Sequence, residues 1–180
     1  MPGFDFSQIP ADTLIETCSR SLHTVDGLWF LAVEAKYGFD TASELNAEVW
    51  QRCSSIHARR ILKNFNIKED TPLQTLIKLI YADPLLFVHR PEVVTLTDTR
   101  AILRCIECPT QAARIRDGRG VYPGEPGCTI FYEAYAGLID PRIKVTCLAC
   151  APNPDSPEYW CEWEFEISQD EDNGNEAADV

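Results

Sequence analysis

Apolar and polar residues recur with helical spacing through the first eighty residues of the chain. In 41–64, apolar side chains return at steps of three and four, which predicts an amphipathic helix. The stretch DGLWFLAVEAKYG is apolar on nearly every face over 28–33, which predicts a buried central helix at 24–37, ended by Gly38. The first half is therefore predicted to be helical.

Three segments carry the signature of a helix start: Thr13-x-x-Glu16, Thr41-x-x-Glu44 and Thr71-Pro72-x-Gln74. In such a segment a hydroxyl accepts an unpaired amide of the first turn, and an acid or amide three residues later reaches back. Proline is also favoured at the first helical position. The sequence thus predicts helix starts at all three places.

The second half of the chain alternates in the manner of β-strands, with two short helical segments between them. The predicted elements are, in order, strands at 93–97 and 100–105, helices at 110–117 and 129–139, and strands at 143–147 and 160–167. In the last strand Cys161, Trp163, Phe165 and Ile167 share one face, and glutamates occupy the other. That alternation is typical of a half-buried antiparallel strand.

This order of elements predicts a single α+β domain over 1–167, in which N-terminal helices pack with an antiparallel sheet of about four strands and two further short helices. The helical half is predicted at about 11–83 and the sheet-containing half at about 84–167. A chain of 180 residues can bury one sizeable core. Residues 168–180 contain five acids and no base, which predicts a disordered acidic tail.

The charge balance narrows the classes of partner. Sixteen basic residues against 28 acidic ones give a net charge of −12, which repels nucleic acid and anionic membranes. The sequence shows neither a signal-peptide pattern nor an apolar run long enough to cross a bilayer. We therefore expect a cytoplasmic protein whose partner is a small anionic molecule; the sequence does not indicate an oligomeric state.

Eight cysteines are the most distinctive feature of the composition. In a reducing cytosol they are expected to be thiols or metal ligands rather than disulfides. The two Cys-x-x-Cys motifs, Cys105/Cys108 and Cys147/Cys150, are predicted to approach one another, and four thiolates suit tetrahedral zinc.

The cysteines also admit other assignments. Cys128 and Cys161 enlarge the set of ligands, so an iron–sulfur cluster is an alternative cofactor. Free cysteine also behaves as a small apolar residue, so buried thiols without a metal are a further alternative. A catalytic thiolate is the last alternative, with Cys108 and Cys147 as candidates. For Cys108 the reason is that the helix predicted after it would direct its positive end at the sulfur.

Asp26 is a candidate acid or base. Its place in the first turn of the predicted helix at 24–37 is explained by the helix dipole alone. If Asp26 instead faces a cavity beside Glu34, burial would raise its pKa into a range useful for catalysis.

Arginines give the segment 88–119 a local positive charge in an acidic protein. Arg100 and Arg104 share one face of a predicted strand, and Arg114 on the next helix could reach the same space. Such a group could bind a small carboxylate or phosphate. The alternative is that each guanidinium pairs with one of the many acids.

Taken together, the motifs DGLWFLAVEAKYG, CPTQAARIRDG, IDPRIKVTCLACAPNPDSPEYW and WCEWEF resemble an uncharacterised prokaryotic cytosolic family that is grouped with L-2-amino-thiazoline-4-carboxylic acid hydrolase-like proteins. The resemblance implies opening of a small sulfur heterocycle that bears a carboxylate. That chemistry requires an activated water or thiolate at the ring carbon and a cation for the carboxylate. A hydrolase or binding protein for such a ligand is thus expected, with a metal-binding module that has no catalysis of its own as the alternative.

Overall fold

The computed structural model describes residues 3–68, 70–152 and 158–168. Within them the chain forms five α-helices: α1 Ala11–Tyr37, α2 Phe39–Asn64, α3 Pro72–Ala82, α4 Pro109–Arg116 and α5 Glu125–Ile139. The same residues form four strands: β1 Pro91–Leu96, β2 Arg100–Cys105, β3 Ile143–Cys150 and β4 Cys161–Ile167. The predicted α+β class is confirmed, and the predicted tail lies outside the described residues from 169 onward.

The sheet is antiparallel, with the strands in the order β1-β2-β4-β3. The predicted alternation of β4 is confirmed, because Trp163 and Phe165 are fully buried while the three glutamates of the strand are not. Helix α5 covers this buried face, and the Tyr132 ring lies 5.0 Å from Trp163 and 5.5 Å from Phe165 between ring centroids. The core therefore lies between the sheet and α5, with α3 completing it.

Helix α1 is one continuous helix, which corrects the predicted start at Thr24. The Thr24 hydroxyl donates a 2.8 Å hydrogen bond to the carbonyl of Arg20, one turn earlier, and so acts inside the helix. The helix begins at Ala11, before the predicted Thr13, and ends at Gly38 as expected. Gly38 has a φ of 87°, a conformation that glycine adopts without steric penalty.

The predicted burial of the helix at 24–37 is wrong. Leu28 and Trp29 are 62% and 73% exposed, whereas Leu73 and Leu76 of α3 are fully buried. Periodicity shows which residues share a face but not which element covers that face. Although several apolar side chains of α1 are exposed, no helix in the three described ranges has the length and apolar character required to span a bilayer.

A buried carboxylate joins α3 to α5. Asp83, 1% exposed, follows α3 and accepts a 2.8 Å hydrogen bond from the Leu85 amide. Its second oxygen accepts a 2.5 Å hydrogen bond from the Tyr135 hydroxyl of α5. The Leu85 carbonyl in turn accepts from the Ser19 hydroxyl of α1 at 3.2 Å. Asp83 thus holds the turn that leads from the helical half into the sheet.

Candidate functional site

Three cysteines from neighbouring strands lie side by side at one end of the sheet. Cys105 ends β2 and Cys150 ends β3, and both are the cross-strand partners of Cys161, the first residue of β4. Directly opposed residues of antiparallel strands carry their side chains on the same face. Cys105 and Cys161 are buried, and Cys150 is partly exposed. We call these three residues the cysteine row.

The cysteine row opens onto a cavity of about 540 Å³ that is bounded by the sheet end and by α1, α2, α4 and α5. Cys108, the residue that precedes α4, and Cys128, in the first turn of α5, add two further thiols to its wall. Much of the remaining wall is aromatic, and includes Phe30, Trp50, Tyr122, Phe131, Tyr132 and Trp160. A volume of this size suits a small organic ligand.

The fold places one cysteine of each Cys-x-x-Cys motif, Cys105 and Cys150, on either side of Cys161, so the predicted approach of all four motif cysteines is found only in part. Cys147 interacts with Cys150 but does not line the cavity. In the described part of the chain, no group of three or more His, Cys, Asp or Glu side chains is arranged to hold a metal ion. The zinc or iron–sulfur assignment therefore stays a prediction.

The two outer cysteines of the row change the pKa of the central one. The thiols of Cys105 and Cys150 interact with the Cys161 sulfur, which lowers the pKa of Cys161 well below its ordinary value. The same contact raises the pKa of Cys105 and of Cys150. The buried Trp163 indole N–H has no conventional hydrogen-bond partner among the described residues, and its interaction with Cys161 also lowers that pKa.

The two nucleophiles predicted from the sequence, Cys108 and Cys147, have raised rather than lowered pKa values. Burial raises the pKa of Cys108 to about 11, although amides of the first turn of α4 act against that rise. Burial likewise raises the pKa of Cys147 to about 11. Both are therefore thiols at neutral pH, and the favoured thiolate is Cys161, which the sequence indicated only as a further metal ligand.

Asp26 lines the cavity, which is one of the two positions that the sequence left open for it. Burial raises its pKa, against the opposing effects of His23 and of a hydrogen bond from Trp50. His23 places Nδ1 2.8 Å from the Ser19 carbonyl, which can only accept, so this nitrogen is the donor. His89 stacks near His23 at 5.0 Å between centroids, and burial lowers its pKa to about 4. The cavity wall therefore carries a carboxyl group whose pKa is raised by burial, Asp26, and the neutral imidazole of His89.

Arg114 is a largely buried cation in the cavity wall, with 12% of its side chain exposed. It pairs with Glu34 at 3.2 Å, and Arg119 approaches the same carboxylate at 3.8 Å, so two positive charges share one acid. The Arg114 guanidinium carbon lies 5.8 Å from the ring centroids of Phe39 and Tyr122. Its Nε is buried and has no hydrogen-bond partner among the described side chains and backbone. This end of the cavity carries excess positive charge.

The three predicted arginines do not converge. Arg100 and Arg104 share a face as expected, but strand alternation puts that face opposite the cysteine row. Arg100 pairs with Glu164 at 2.6 Å and Arg104 with Glu162 at 2.9 Å, and neither lines the cavity. Arg100 and Arg104 therefore pair with acidic residues, which is the alternative that the sequence left open.

Gln111 fixes the loop that follows α4, a role absent from the sequence expectations. Its side chain is 2% exposed and pairs with the backbone of Tyr122 in both directions, donating to the carbonyl at 2.6 Å and accepting from the amide at 2.8 Å. A glutamine followed by two alanines in a helical segment gives little signal for this role. The pairing holds Tyr122 against the cavity.

A family model described as a family of unknown function, DUF6125, matches residues 6–167. The match spans all five helices and all four strands of the described chain. No curated protein and no solved structure matches the chain.

Proposed function

Because the chain belongs to DUF6125, a family without an assigned activity, we propose its function from the cavity: a thiol-dependent hydrolase that binds a small carboxylated molecule. The observation that carries the proposal is that the cysteine row and the buried Arg114 line the same cavity. One supplies a nucleophile and the other a cation for an anionic group. Buried nucleophiles and charges at a cavity are typical of functional sites.

The proposed nucleophile is Cys161. Its interactions with the neighbouring thiols of Cys105 and Cys150 lower the pKa of Cys161, which favours the thiolate. A thiolate attacks carbonyl-like carbons far better than a thiol does. Because Cys161 is 9% exposed and lines the cavity, its reaction partner has to enter the cavity first.

The proposed anion-binding residue is Arg114. Its guanidinium is fixed by Glu34 and by two aromatic rings, while Nε remains buried without a partner. A carboxylate that accepts from this N–H would also offset the second positive charge, Arg119. The aromatic wall then suits a ring or another flat apolar body.

The proposed reaction is hydrolysis of a C–N or C–S bond. The Cys161 sulfur attacks the electrophilic carbon and forms a C–S bond, after which the leaving nitrogen or sulfur departs and takes a proton. Asp26, whose pKa is raised by burial, can hold a proton in the same cavity. Water then attacks the carbon, the bond to Cys161 breaks, and the thiolate is restored.

The resemblance to thiazoline-carboxylate hydrolases supports a carboxylated sulfur heterocycle as substrate. A cytoplasmic location belongs to the same proposal, because a reducing compartment keeps Cys161 available.

The test is turnover of 2-aminothiazoline-4-carboxylate, followed by chromatography, with the ring that lacks the carboxylate as a matched compound. Cys161→Ser is expected to abolish turnover, whereas Cys18→Ser, at an exposed position, leaves it unchanged. Arg114→Met is expected to raise KM for the carboxylated ring roughly tenfold to a hundredfold, from the loss of a charge-assisted hydrogen bond. Arg59→Met, on the exposed side of α2, is its control. If the Cys161→Ser variant turned over the substrate at the wild-type rate, Cys161 would not be the nucleophile.

A thiolate metal-binding module is the second candidate. The observation in its favour is that Cys105 and Cys150 flank Cys161 at one sheet end, with Cys108 and Cys128 on the same cavity. In the described part of the chain these thiols are not arranged to hold a metal ion, so binding would require their side chains to move. Thiolates bind zinc and iron–sulfur clusters. Metal analysis of protein purified without added metal decides the matter: stoichiometric zinc or iron supports this candidate, and metal-free protein with turnover supports the hydrolase.

A further inference from the structure

We propose that the cysteine row is a peroxide-reactive thiol site, in which Cys161 closes a disulfide with either Cys105 or Cys150. This chemistry is distinct from hydrolysis and needs no bound substrate. It follows from the positions of three side chains in the sheet and from their access to the cavity.

The sheet geometry permits both disulfides. Cys161 is the direct cross-strand partner of Cys105 in β2 and of Cys150 in β3. Opposed residues of antiparallel strands have Cα atoms about 4.5–5.5 Å apart, within the range of about 4.4–6.8 Å that a disulfide requires. The two bonds use the same Cys161 sulfur, so only one can exist at a time. Each state leaves the other neighbour as a free thiol, able to exchange with the bond.

The row is accessible to a small oxidant despite its burial. All three cysteines line the cavity, through which a molecule of the size of hydrogen peroxide can pass. Peroxide oxidises a cysteine sulfur that it can reach, and the thiolate is the form that reacts. Both partners of Cys161 stand directly opposite it in the sheet, so a resolving sulfur is adjacent on either side.

The reaction balances with hydrogen peroxide as the oxidant. The Cys161 sulfur attacks one peroxide oxygen, the O–O bond breaks, and the departing hydroxide takes up a proton to become water. Cys161 is then a sulfenic acid. The sulfur of Cys105 or Cys150 attacks that of Cys161, the S–S bond forms, and the S–O bond breaks with release of a second water. Two thiols are oxidised and one peroxide is reduced.

The disulfide would remove the nucleophile, so oxidation would switch off the hydrolase reversibly. That switching role rests on the proposed function, but the disulfide itself does not. Mapping the cross-link by mass therefore tests the site even if no substrate is turned over.

The experiment treats the reduced full chain with stoichiometric hydrogen peroxide, blocks free thiols, and maps disulfides by mass spectrometry. Trypsin is unsuitable because no Lys or Arg separates Cys150 from Cys161. Cleavage after glutamate separates Cys105 from Cys108 at Glu107, and Cys150 from Cys161 at Glu158. The expected product links the peptide YWCE to the peptide of Cys105 or of Cys150.

Variants identify the partners. Cys105→Ser is expected to move the whole cross-link to Cys150, and Cys150→Ser to move it to Cys105. Cys161→Ser is expected to abolish both, while Cys18→Ser leaves the pattern of the wild type. Two results would overturn the proposal: a disulfide that does not include Cys161, or oxidation of Cys161 to the sulfinic acid while both neighbours remain thiols. If Cys161→Ser does not fold, disulfide mapping of the wild-type protein alone distinguishes these outcomes.

Discussion

Replacement of Tyr135 by phenylalanine isolates one hydrogen bond in the core. The change removes the hydroxyl that donates to Asp83 and keeps the ring, which packs 4.3 Å from Phe131 between centroids. Burial raises the pKa of Tyr135, so the phenol is protonated and acts as the donor. After the change, one oxygen of a carboxylate that is 1% exposed is left without this partner.

The expected loss follows from the charge of the acceptor. A hydrogen bond to a charged group contributes about 1.5–3 kcal/mol, and an unpaired buried acceptor loses the benefit of solvation as well. We therefore expect Tyr135→Phe to lower the free energy of unfolding by about 2–3 kcal/mol at neutral pH. For a chain of this length, that corresponds to a fall in Tm of about 4–12 °C.

The loss should depend on pH in a defined direction. Burial raises the pKa of folded Asp83 above the ordinary value of 3.8, against the hydrogen bond from Tyr135. For an acid whose folded pKa is raised, ionisation opposes folding, so this contribution becomes unfavourable as the pH rises above 3.8 through the folded pKa. Tyr135→Phe raises the folded pKa further. Its destabilising effect is therefore largest at neutral pH and shrinks as the pH falls toward 3.8.

Urea unfolding at several pH values, followed by circular dichroism, measures this effect. Tyr132→Phe is the matched control. Tyr132 is on the same helix and is 3% exposed, and among the described residues its hydroxyl forms a hydrogen bond with a sulfur, Cys105 Sγ at 3.4 Å, rather than with a carboxylate. That change is expected to cost less than about 1 kcal/mol. Equal losses for the two variants at neutral pH, or a Tyr135→Phe loss that grows in acid, would refute the reasoning.

Three further predictions concern the site and the core. Gln111→Ala is expected to destabilise by about 2–4 kcal/mol, because it leaves two backbone groups of the cavity loop unpaired, and hydrogen exchange should locate the loss in that loop. Leu103→Ala, at a fully buried strand position, should cost about 2–5 kcal/mol in urea unfolding, against less than about 1 kcal/mol for Leu96→Ala at 41% exposure. Alkylation by iodoacetamide should be nearly independent of pH from 6 to 8 at Cys161, whose pKa is lowered, and should rise about tenfold per pH unit at Cys108, whose pKa is about 11. A steep profile at Cys161 would contradict its thiolate character.

Much of the fold could be predicted from local signals. The alternation from Cys161 to Ile167 fixed which side of β4 is buried, and Pro72 marked the first residue of α3. These features depend on the residue itself and its near neighbours. The exposure of Trp29 could not be predicted in this way, because it depends on which elements pack against α1.

The candidate site was predictable only in part for the same reason. The sequence indicated that Cys105 and Cys150 approach one another, since both end strands. It did not indicate that Cys161 lies between them, because that position depends on the strand order. The directions of the pKa shifts followed from this arrangement. The central sulfur interacts with two thiols that lower its pKa, whereas burial is the largest effect on Cys108. Arg104 was assigned to the site although strand alternation turns it to the opposite face.

The strand order also determines when the site can exist during folding. Strands β2 and β3 are not hydrogen-bonded to each other; each pairs with β4, which follows both in the chain. Contacts between residues distant in sequence form slowly, because a long loop has to close first. Until β4 inserts, Cys105 and Cys150 belong to two separate edges, and Cys161 has neither of its donors. Appearance of an acidic, reactive thiol during refolding would therefore report completion of the sheet, so rapid-quench alkylation of Cys161 could time the last long-range step of folding.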